Sequence, residues 1–247
     1  MVAARGRKKK AVEYRIDADE VLRGLDLLAP PVFELRVLNA RLRGERRSGT
    51  FSGYYDRDHF DNVLRDLGRV EAASACYFTP NYVNPVLLAR SYNKARLIRD
   101  REPLTGDKDV EERWRLLIDV DAVRPAGVSA TAAEKAAAEG LVTAIDSYLW
   151  EKGFQPGVLG DSGNGAHLML PMRGPADDGG KVERLLKHLA KEFNTATATV
   201  DVTVFNAARI WKLPGTLVCK GDNAPEIGRE WRMSRVLQVC QSVLKDA

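Results

Sequence analysis

The sequence predicts an α+β protein whose second half folds as a ferredoxin-like unit with the element order β-α-β-β-α-β. Three observations predict this class. Residues 114–121 and 197–205 alternate apolar and polar side chains, which is the period of a β-strand. Two longer segments between them space their apolar residues as a helix does. A glycine-rich turn at residues 161–165 separates two further short apolar runs, which adds a central hairpin.

The first half predicts an N-terminal α/β module at residues 13–110, preceded by a flexible basic arm at residues 1–12. Its predicted elements are strands at residues 32–41, 50–55 and 75–79 and helices at residues 56–68 and 85–99. The first two strands form a hairpin around a turn rich in glycine and arginine. Asp56 or Asp58 would cap the first helix, and Gly68 would end it. A polar stretch at residues 102–107 marks the end of this module.

The second half, residues 111–247, supplies the ferredoxin-like unit element by element. Thr131 and Glu134 have the spacing of a capping box, which starts a long helix that ends at Gly153. The remaining predicted elements are strands at residues 157–160 and 166–172 and a helix at residues 181–193. In this topology the strands lie in the order 4-1-3-2, so the first strand has the fourth and the third as antiparallel neighbours.

Charge and composition exclude some classes of protein without selecting one. The sequence has 38 Lys and Arg against 34 Asp and Glu, and five of the basic residues fall within the first ten positions. The rest of the chain is close to neutral, so overall charge does not indicate nucleic-acid binding. No apolar run approaches the roughly 20 residues of a membrane-spanning helix, and the basic start lacks the apolar core of a secretory signal. Cys76, Cys219 and Cys240 form no CxxC pair, which predicts a cytoplasmic protein without a zinc site.

Three aspartates converge in the predicted sheet. Asp119 and Asp121 lie at the carboxyl end of the first strand, and Asp201 lies near the start of the fourth, its antiparallel neighbour. Carboxylates this close repel one another unless a cation lies between them. Carboxylate oxygens are the ligands that Mg²⁺ and Mn²⁺ prefer. The sequence therefore predicts a divalent-metal site here, whereas an isolated Asp-x-Asp would indicate only a solvated strand end.

Groups that can bind phosphate surround the predicted acids. His167 lies near the start of the third strand, and Arg209 and Lys212 follow closely after Asp201. Turn N–H groups, a hydroxyl, an imidazole and two cations can all donate to the oxygens of a triphosphate. The turn residues predicted to take part are Ser162, Gly163, Asn164 and Gly165. An ordinary hairpin turn, a structural histidine and a surface basic pair are the alternatives.

These residues together resemble the archaeo-eukaryotic primase superfamily, in particular the primase-polymerase branch of plasmids, phages and other mobile elements. The resemblance is carried by three ordered motifs: Ile118-Asp119-Val120-Asp121 with Val123-Arg124-Pro125, then Asp161-Ser162-Gly163-Asn164-Gly165-Ala166-His167, then Val200-Asp201 with Asn206-Ala207-Ala208-Arg209-Ile210-Trp211-Lys212-Leu213-Pro214-Gly215-Thr216. Residues 51–55 and 77–85 also look like this branch, so the resemblance runs from about residue 30 to residue 240.

The resemblance implies an RRM-like catalytic sheet packed on the N-terminal α/β module, the two forming one primase-polymerase core. It implies two divalent cations, Mg²⁺ or Mn²⁺, with Asp119, Asp121 and Asp201 as catalytic metal ligands. Ser162, His167, Arg209 and Lys212 would bind the triphosphate of the incoming nucleotide. The implied partners are a single-stranded DNA template, a primer, nucleoside triphosphates and a replicative helicase on the same or another chain. The zinc knuckle of several relatives is missing, so no zinc is expected.

The expected activity is that of a template-directed nucleotidyltransferase that makes or extends primers on single-stranded DNA. Two alternatives remain: a non-catalytic RRM-like nucleic-acid-binding module, and a metal-dependent nucleotide cyclase or nuclease on the same sheet. A binding module usually displays aromatic residues where bases stack, whereas the first strand displays Asp119 and Asp121. The basic hairpin adds a second expectation, a contact with the template backbone through Arg41, Arg43, Arg46 and Arg47.

Overall fold

The computed structural model describes residues 13–99 and 101–239, so the arm predicted at residues 1–12 lies outside the described residues. Its α-helices are α1 (Ala18–Leu28), α2 (Phe60–Leu67), α3 (Ala132–Glu151) and α4 (Lys181–Phe193). Its strands are β1 (Val32–Leu42), β2 (Ser48–Asp56), β3 (Val70–Ala72), β4 (Ala75–Phe78), β5 (Tyr82–Val83), β6 (Arg96–Leu97), β7 (Val110–Ala122), β8 (Val158–Asp161), β9 (Gly165–Pro175), β10 (Ala198–Val200), β11 (Trp211–Lys212), β12 (Leu217–Val218), β13 (Arg232–Met233) and β14 (Arg235–Val239).

The first sheet is antiparallel and has the strand order β11-β4-β1-β2-β6, with β3 also paired to β1. The predicted hairpin forms its centre, since β1 and β2 pair from Val32 opposite Asp56 to Arg41 opposite Ser48. α1 and α2 cover this sheet because each presents an apolar stripe to it. Their buried residues share one core with those of β1, β2 and β4.

The second sheet is also antiparallel and has the order β10-β7-β9-β8-β14, with β5 paired to β7. The segment β10-β7-β9-β8 is the 4-1-3-2 order that the sequence predicts. α3 begins at the predicted capping box, in which the Thr131 hydroxyl and the Glu134 carboxylate each accept a backbone N–H. The mixed α+β class and the element order of the second half are therefore confirmed.

The two faces of β7 point into different surroundings because strand residues alternate in direction. Ile118 and Val120 belong to a core that they share with the buried faces of α3 and α4. Leu117 belongs instead to the core of the first sheet, together with Met169 of β9. The face that carries Asp119 and Asp121 is the Leu117 face, so it is turned towards the first sheet.

The two halves of the chain also exchange strands. β5 comes from the first half and pairs with β7, whereas β11 comes from the second half and pairs with β4. Asn81, buried just before β5, fixes this connection through its side chain. Its oxygen accepts the N–H groups of Trp114 and Arg115, and its nitrogen donates to the Ala207 carbonyl. Both sheets therefore contain residues from each side of the predicted boundary at residues 102–107.

The helix predicted at residues 85–99 is wrong beyond its first turns. A 3₁₀ helix spans Pro85–Arg90, and β6 follows after a turn. Tyr92 and Asn93 have left-handed backbone conformations, with φ of 47° and 61°, which a helix cannot contain. Asn93 is held there because its side chain accepts from the Asp56 N–H and donates to the Asp56 carboxylate.

The strand predicted at residues 197–205 is too long, since β10 ends at Val200. Asp201 Oδ1 accepts both the N–H and the hydroxyl of Thr203, at 2.8 and 2.7 Å. This local hydrogen bonding turns the chain, although Val202 and Val204 alternate as in a strand. Asp201 therefore follows the end of β10, and does not lie near the start of a longer strand as predicted.

α1 was not among the predicted elements, although its signals are present. Asp17 caps it by accepting the Glu20 N–H, and Val21, Leu25 and Leu28 form its buried stripe. None of the helices in the described residues has the length and apolar character needed to cross a bilayer.

Candidate metal and nucleotide site

Three aspartates meet where the end of β10 lies beside β7. Asp119 and Asp121 point to the same side of β7, and the Asp201 N–H donates to the Asp119 carbonyl at 2.8 Å. One carboxylate oxygen from each residue lies within 4.8 Å of the other two. The fold thus brings together the three acids that the sequence places in one cluster.

Asp119 is the most constrained of the three acids. Its Oδ1 is buried and has no hydrogen-bond partner within residues 13–99 and 101–239. Burial, and then the charge of Asp121, raises the pKa of the Asp119 carboxyl to about 7, while Lys212 and Lys220 oppose this rise. A buried carboxylate oxygen without a donor, placed among like charges, is unfavourable unless a cation binds there.

The donor set fits a hard divalent cation. The cluster consists of carboxylates alone, and oxygen-only sites suit Mg²⁺ and Mn²⁺ better than zinc or copper. The unpartnered Asp119 Oδ1 supplies a ligand atom that needs no rearrangement of existing hydrogen bonds. Asp119, Asp121 and Asp201 are therefore the residues that could hold one or two such ions.

Basic side chains lie beside these acids. Lys212 on β11 donates to the Tyr77 hydroxyl at 3.0 Å, and its charge reaches both Asp119 and His167. Arg209 Nη2 lies 3.6 Å from Asp201 Oδ2. The positive charge of Lys220 also opposes the rise in the pKa of Asp119. The sequence did not predict Lys220 as a site residue, because only the path of the chain after β12 brings it near the acids. Together they can neutralise a polyanionic ligand held next to the carboxylates.

His167 lies beside Asp119 on the neighbouring strand. The two residues are paired in the β7–β9 register, and the imidazole stacks on Trp211 with ring centroids 4.5 Å apart. Burial, and then the positive charge of Lys212, lowers the pKa of His167 to about 3, so the ring is neutral at pH 7. No hydrogen bond to the imidazole forms within the described residues, which leaves it able to donate to a ligand.

Gly160 makes room for this imidazole and was not predicted as a site residue. It lies opposite His167 in the β8–β9 register. A Cβ atom at Gly160 would come within 2.1 Å of His167 Nε2, so the ring occupies the space that any other side chain would fill. A glycine in a strand opposite a polar residue is the sequence signal that could have identified it.

The turn at residues 161–165 is tightly tied to its surroundings. Gly163 has φ +91°, and its N–H donates to Asp161 Oδ1 at 2.7 Å. The Ser162 N–H donates to the Gly165 carbonyl, so two of the N–H groups expected to bind phosphate are already used. The Ser162 hydroxyl has no hydrogen-bond partner in the described part of the chain. It is therefore the polar group of this turn best placed to bind a ligand.

Asn164 supports the site indirectly. Its side-chain oxygen accepts the Ala130 N–H, and its nitrogen donates to the Lys220 carbonyl, both at 2.9 Å. Gly165 lies opposite Asp121, where a Cβ atom would come within 2.3 Å of the Val120 carbonyl oxygen. Asn164 and Gly165, both predicted to bind the nucleotide, therefore position the turn, and Asn164 also holds the backbone of Lys220.

A cavity of about 420 Å³ opens beside Asp121 and is lined by residues 121–128 and 220–221. Arg124 shapes its loop by donating to the carbonyls of Ala122 and Val128, both at 3.1 Å. Lys220 lies in its wall. The cavity gives a ligand at the carboxylates space to extend away from the sheet.

The arginines of the β1–β2 hairpin do not form one unpaired basic patch. Arg41 pairs with Glu71 at 3.1 Å, and Arg43 pairs with Glu13 at 2.7 Å. Arg46 and Arg47 are exposed at the turn. The hairpin itself is as predicted, but the acidic partners reduce the positive charge that it presents to a polyanion.

No protein-family model matches this chain, and no curated protein matches it significantly. Among solved structures the chain is similar to one described as "Crystal structure of primase RepB'", with a TM-score of 0.47 and 10% sequence identity. The match covers 90% of this chain and 56% of that one, so this chain spans a little over half of its length.

Proposed function

We propose that this protein is a template-directed nucleotidyltransferase that makes or extends primers on single-stranded DNA, with its second sheet acting as an RRM-like catalytic unit. The observation that carries the proposal is the cluster of three carboxylates within 4.8 Å. The unpartnered Oδ1 of Asp119 points to a cation in this cluster. The cations of Lys212 and Arg209 beside it point to a phosphate-bearing substrate.

The carboxylates would hold two divalent cations, Mg²⁺ or Mn²⁺. When bound, such ions lower the pKa of the primer 3′-hydroxyl and offset charge on the leaving pyrophosphate. The protein's own contribution is to position the reactants. Lys212, which Tyr77 orients, and Arg209 bind the triphosphate oxygens, and the neutral imidazole of His167 donates a further hydrogen bond. The Ser162 hydroxyl completes this set.

The first alternative, a nucleic-acid-binding module without chemistry, is less consistent with the site. Its sheet face would have to bind phosphates with Asp119 and Asp121 at its centre, and two unneutralised carboxylates repel a polyanion. The aromatic ring of Trp211, which lies near the acids, is buried against His167 and cannot stack on a base. A metal-dependent cyclase or nuclease is compatible with the carboxylates, and only the reaction product distinguishes it.

One assay separates these activities. The protein is incubated with each nucleoside triphosphate and Mg²⁺ or Mn²⁺, with and without single-stranded DNA and a labelled primer. Primer extension that requires the template supports the proposal. A cyclic nucleotide formed without DNA identifies a cyclase, shortened DNA identifies a nuclease, and binding without any product identifies a binding module. Each of these three outcomes rejects the proposed function.

The proposed function also includes a template contact, a source of single-stranded DNA and a cellular compartment. Of the hairpin arginines, we retain Arg46 at the exposed turn as a template contact, since Arg41 and Arg43 have acidic partners. A helicase on the same or another chain would supply the single strand. The cytoplasm, which the dispersed cysteines predict, is where such a protein would act.

A further inference from the structure

Arg115 lies on the catalytic face of β7 but has no partner for its charge. Strand alternation places it on the same side as Asp119, four residues and roughly 13 Å away. Its Nε is buried without a hydrogen bond, and its side chain makes neither an ion pair nor a hydrogen bond in the described part of the chain. A buried polar group of this kind costs free energy unless a ligand satisfies it.

Other positive charges surround Arg115. Arg57 and Arg173 are close enough to lower its pKa, an effect that adds to the larger one of burial. Both of these neighbours have acidic partners, since Arg57 pairs with Asp26 and Arg173 with Glu112, each at 3.0 Å. Of these three arginines, Arg115 is therefore the one whose charge is left for an anionic ligand to neutralise.

A flat stack of side chains includes Trp114, the residue that precedes Arg115 on β7, and both residues line the same cavity. β9 contains a bulge in which Met172 and Arg173 together oppose Trp114. The Arg173 guanidinium lies 4.0 Å from the centroid of the Trp114 ring, and Tyr82 stacks on the same ring at 5.2 Å with an interplanar angle of 11°. Arg173 is exposed, so its outer face is open to a planar ligand.

These side chains line a cavity. It has a volume of about 420 Å³, and its lining residues are Trp114, Arg115, Gln155, Pro171, Met172 and Arg173. We propose that this cavity binds single-stranded DNA, with Arg115 holding a backbone phosphate and the adjacent base lying on the Arg173–Trp114 stack. A charged donor for phosphate beside a flat platform is the combination that single-stranded nucleic acids require.

The position of the cavity deepens the proposed function and rests on it for the identity of the strand. Roughly 13 Å along β7 corresponds to about four nucleotides at 3.4 Å each. A strand engaged at Asp119 and passing along the face of β7 would therefore reach Arg115 after a few nucleotides. An acidic peptide would neutralise Arg115 but would leave the stacked platform unused.

Binding of a fluorescein-labelled oligothymidylate, followed by anisotropy in EDTA without nucleotide, tests this inference. Arg115→Gln should raise the Kd by about tenfold or more. It should also reduce the slope of log K against log salt by about 0.7, the value for one phosphate contact on a single strand. Arg184→Gln is the matched control, because Arg184 is exposed on α4, which covers the other face of the sheet. Its binding should stay within about twofold of the wild type.

The platform is tested with an abasic oligonucleotide of the same length. The wild type should bind it about tenfold more weakly than oligothymidylate, and Arg173→Gln should reduce this difference. Arg115→Gln removes a half-buried, unpaired cation, so its thermal midpoint should equal or exceed that of the wild type, which excludes misfolding as the cause of weak binding.

Wild-type affinity and salt slope in Arg115→Gln overturn the inference, whether or not the wild type extends primers. Competition by polyglutamate that matches unlabelled oligothymidylate, and that is lost in Arg115→Gln, also overturns it in favour of an acidic protein partner. If binding depends on Arg115 but the wild type incorporates no nucleotide, the DNA site stands and the proposed function fails.

Discussion

Asp119 illustrates at the scale of one residue how function and stability oppose each other in this protein. It occupies a strand position next to two other acids, with one oxygen buried and unpartnered. Such an arrangement destabilises the metal-free fold because burial and like charges both disfavour the ionised carboxyl. The cost is consistent with a site built to bind a cation.

Asp119→Asn should therefore stabilise the protein in EDTA. Because the pKa of Asp119 is raised to about 7 in the folded state, the folded wild type binds an extra proton below that pH. Its stability falls as pH rises from about 4 to about 7, where the unfolded side chain is already ionised. The free energy of unfolding of the variant, obtained from thermal melts, should exceed that of the wild type at pH 8 by up to about 4 kcal/mol and match it near pH 4. Identical melts at pH 8 would contradict the electrostatic account.

His167 allows the proposed nucleotide binding to be tested separately from metal binding. His167→Ala should raise the nucleotide KM with a smaller fall in kcat, giving about a tenfold to hundredfold loss in kcat/KM. Manganese affinity, titrated without nucleotide, should stay near the wild-type value because the metal ligands are carboxylates. A large loss of manganese binding would place the imidazole among the metal ligands. Since the pKa of His167 is lowered to about 3, the KM difference should not change between pH 6 and 8.

At the scale of elements, the β8–β9 pair depends on Gly160. A Cβ atom there would overlap the imidazole of His167, so Gly160→Ala should displace the ring. The expected result is a KM increase similar to that of His167→Ala and a destabilisation of about 1–3 kcal/mol. Gly174→Ala on β9 is the control, because its Cβ would come no closer than 3.7 Å to a neighbouring atom. Equal effects of the two substitutions on KM would reject the steric role of Gly160.

Elements that form through local interactions could be predicted from the sequence, whereas an element that depends on a distant contact could not. α3 begins at its local capping box, α4 follows from its apolar spacing, and the predicted span of α4 matches the structure. The helix predicted at residues 85–99 fails because Asn93 bonds to Asp56, a contact that no local pattern encodes.

The site residues also differ in whether local patterns or long-range contacts place them. The alternation of β7 sets the face that carries Asp119, and the 4-1-3-2 strand order places His167 on the neighbouring strand, so this part of the site could be predicted. Lys220 and the unpartnered state of Arg115 depend on chain segments that meet only in the folded molecule. The acidic partners of Arg41 and Arg43 are likewise long-range contacts, separated from them by about 30 residues.

At the scale of the whole molecule, the second sheet is completed by the first half of the chain. β5 pairs with β7, and Leu117 and Met169 pack in the core of the first sheet. A fragment of residues 111–247 should therefore lack cooperative thermal unfolding and bind a hydrophobic dye, because it exposes this apolar face. A sharp melt of the isolated fragment by circular dichroism would show that the second half folds independently.

The proposed function is tested by template-directed primer extension with the wild type and with Asp201→Asn, each combined with a manganese titration. Asp201 lies in a turn beyond β10, so its substitution should leave the sheet intact. The wild type should extend a labelled primer only by nucleotides complementary to the template, and Asp201→Asn should lose both extension and manganese binding. Full extension by Asp201→Asn, or incorporation that ignores the template sequence, would contradict the proposed function.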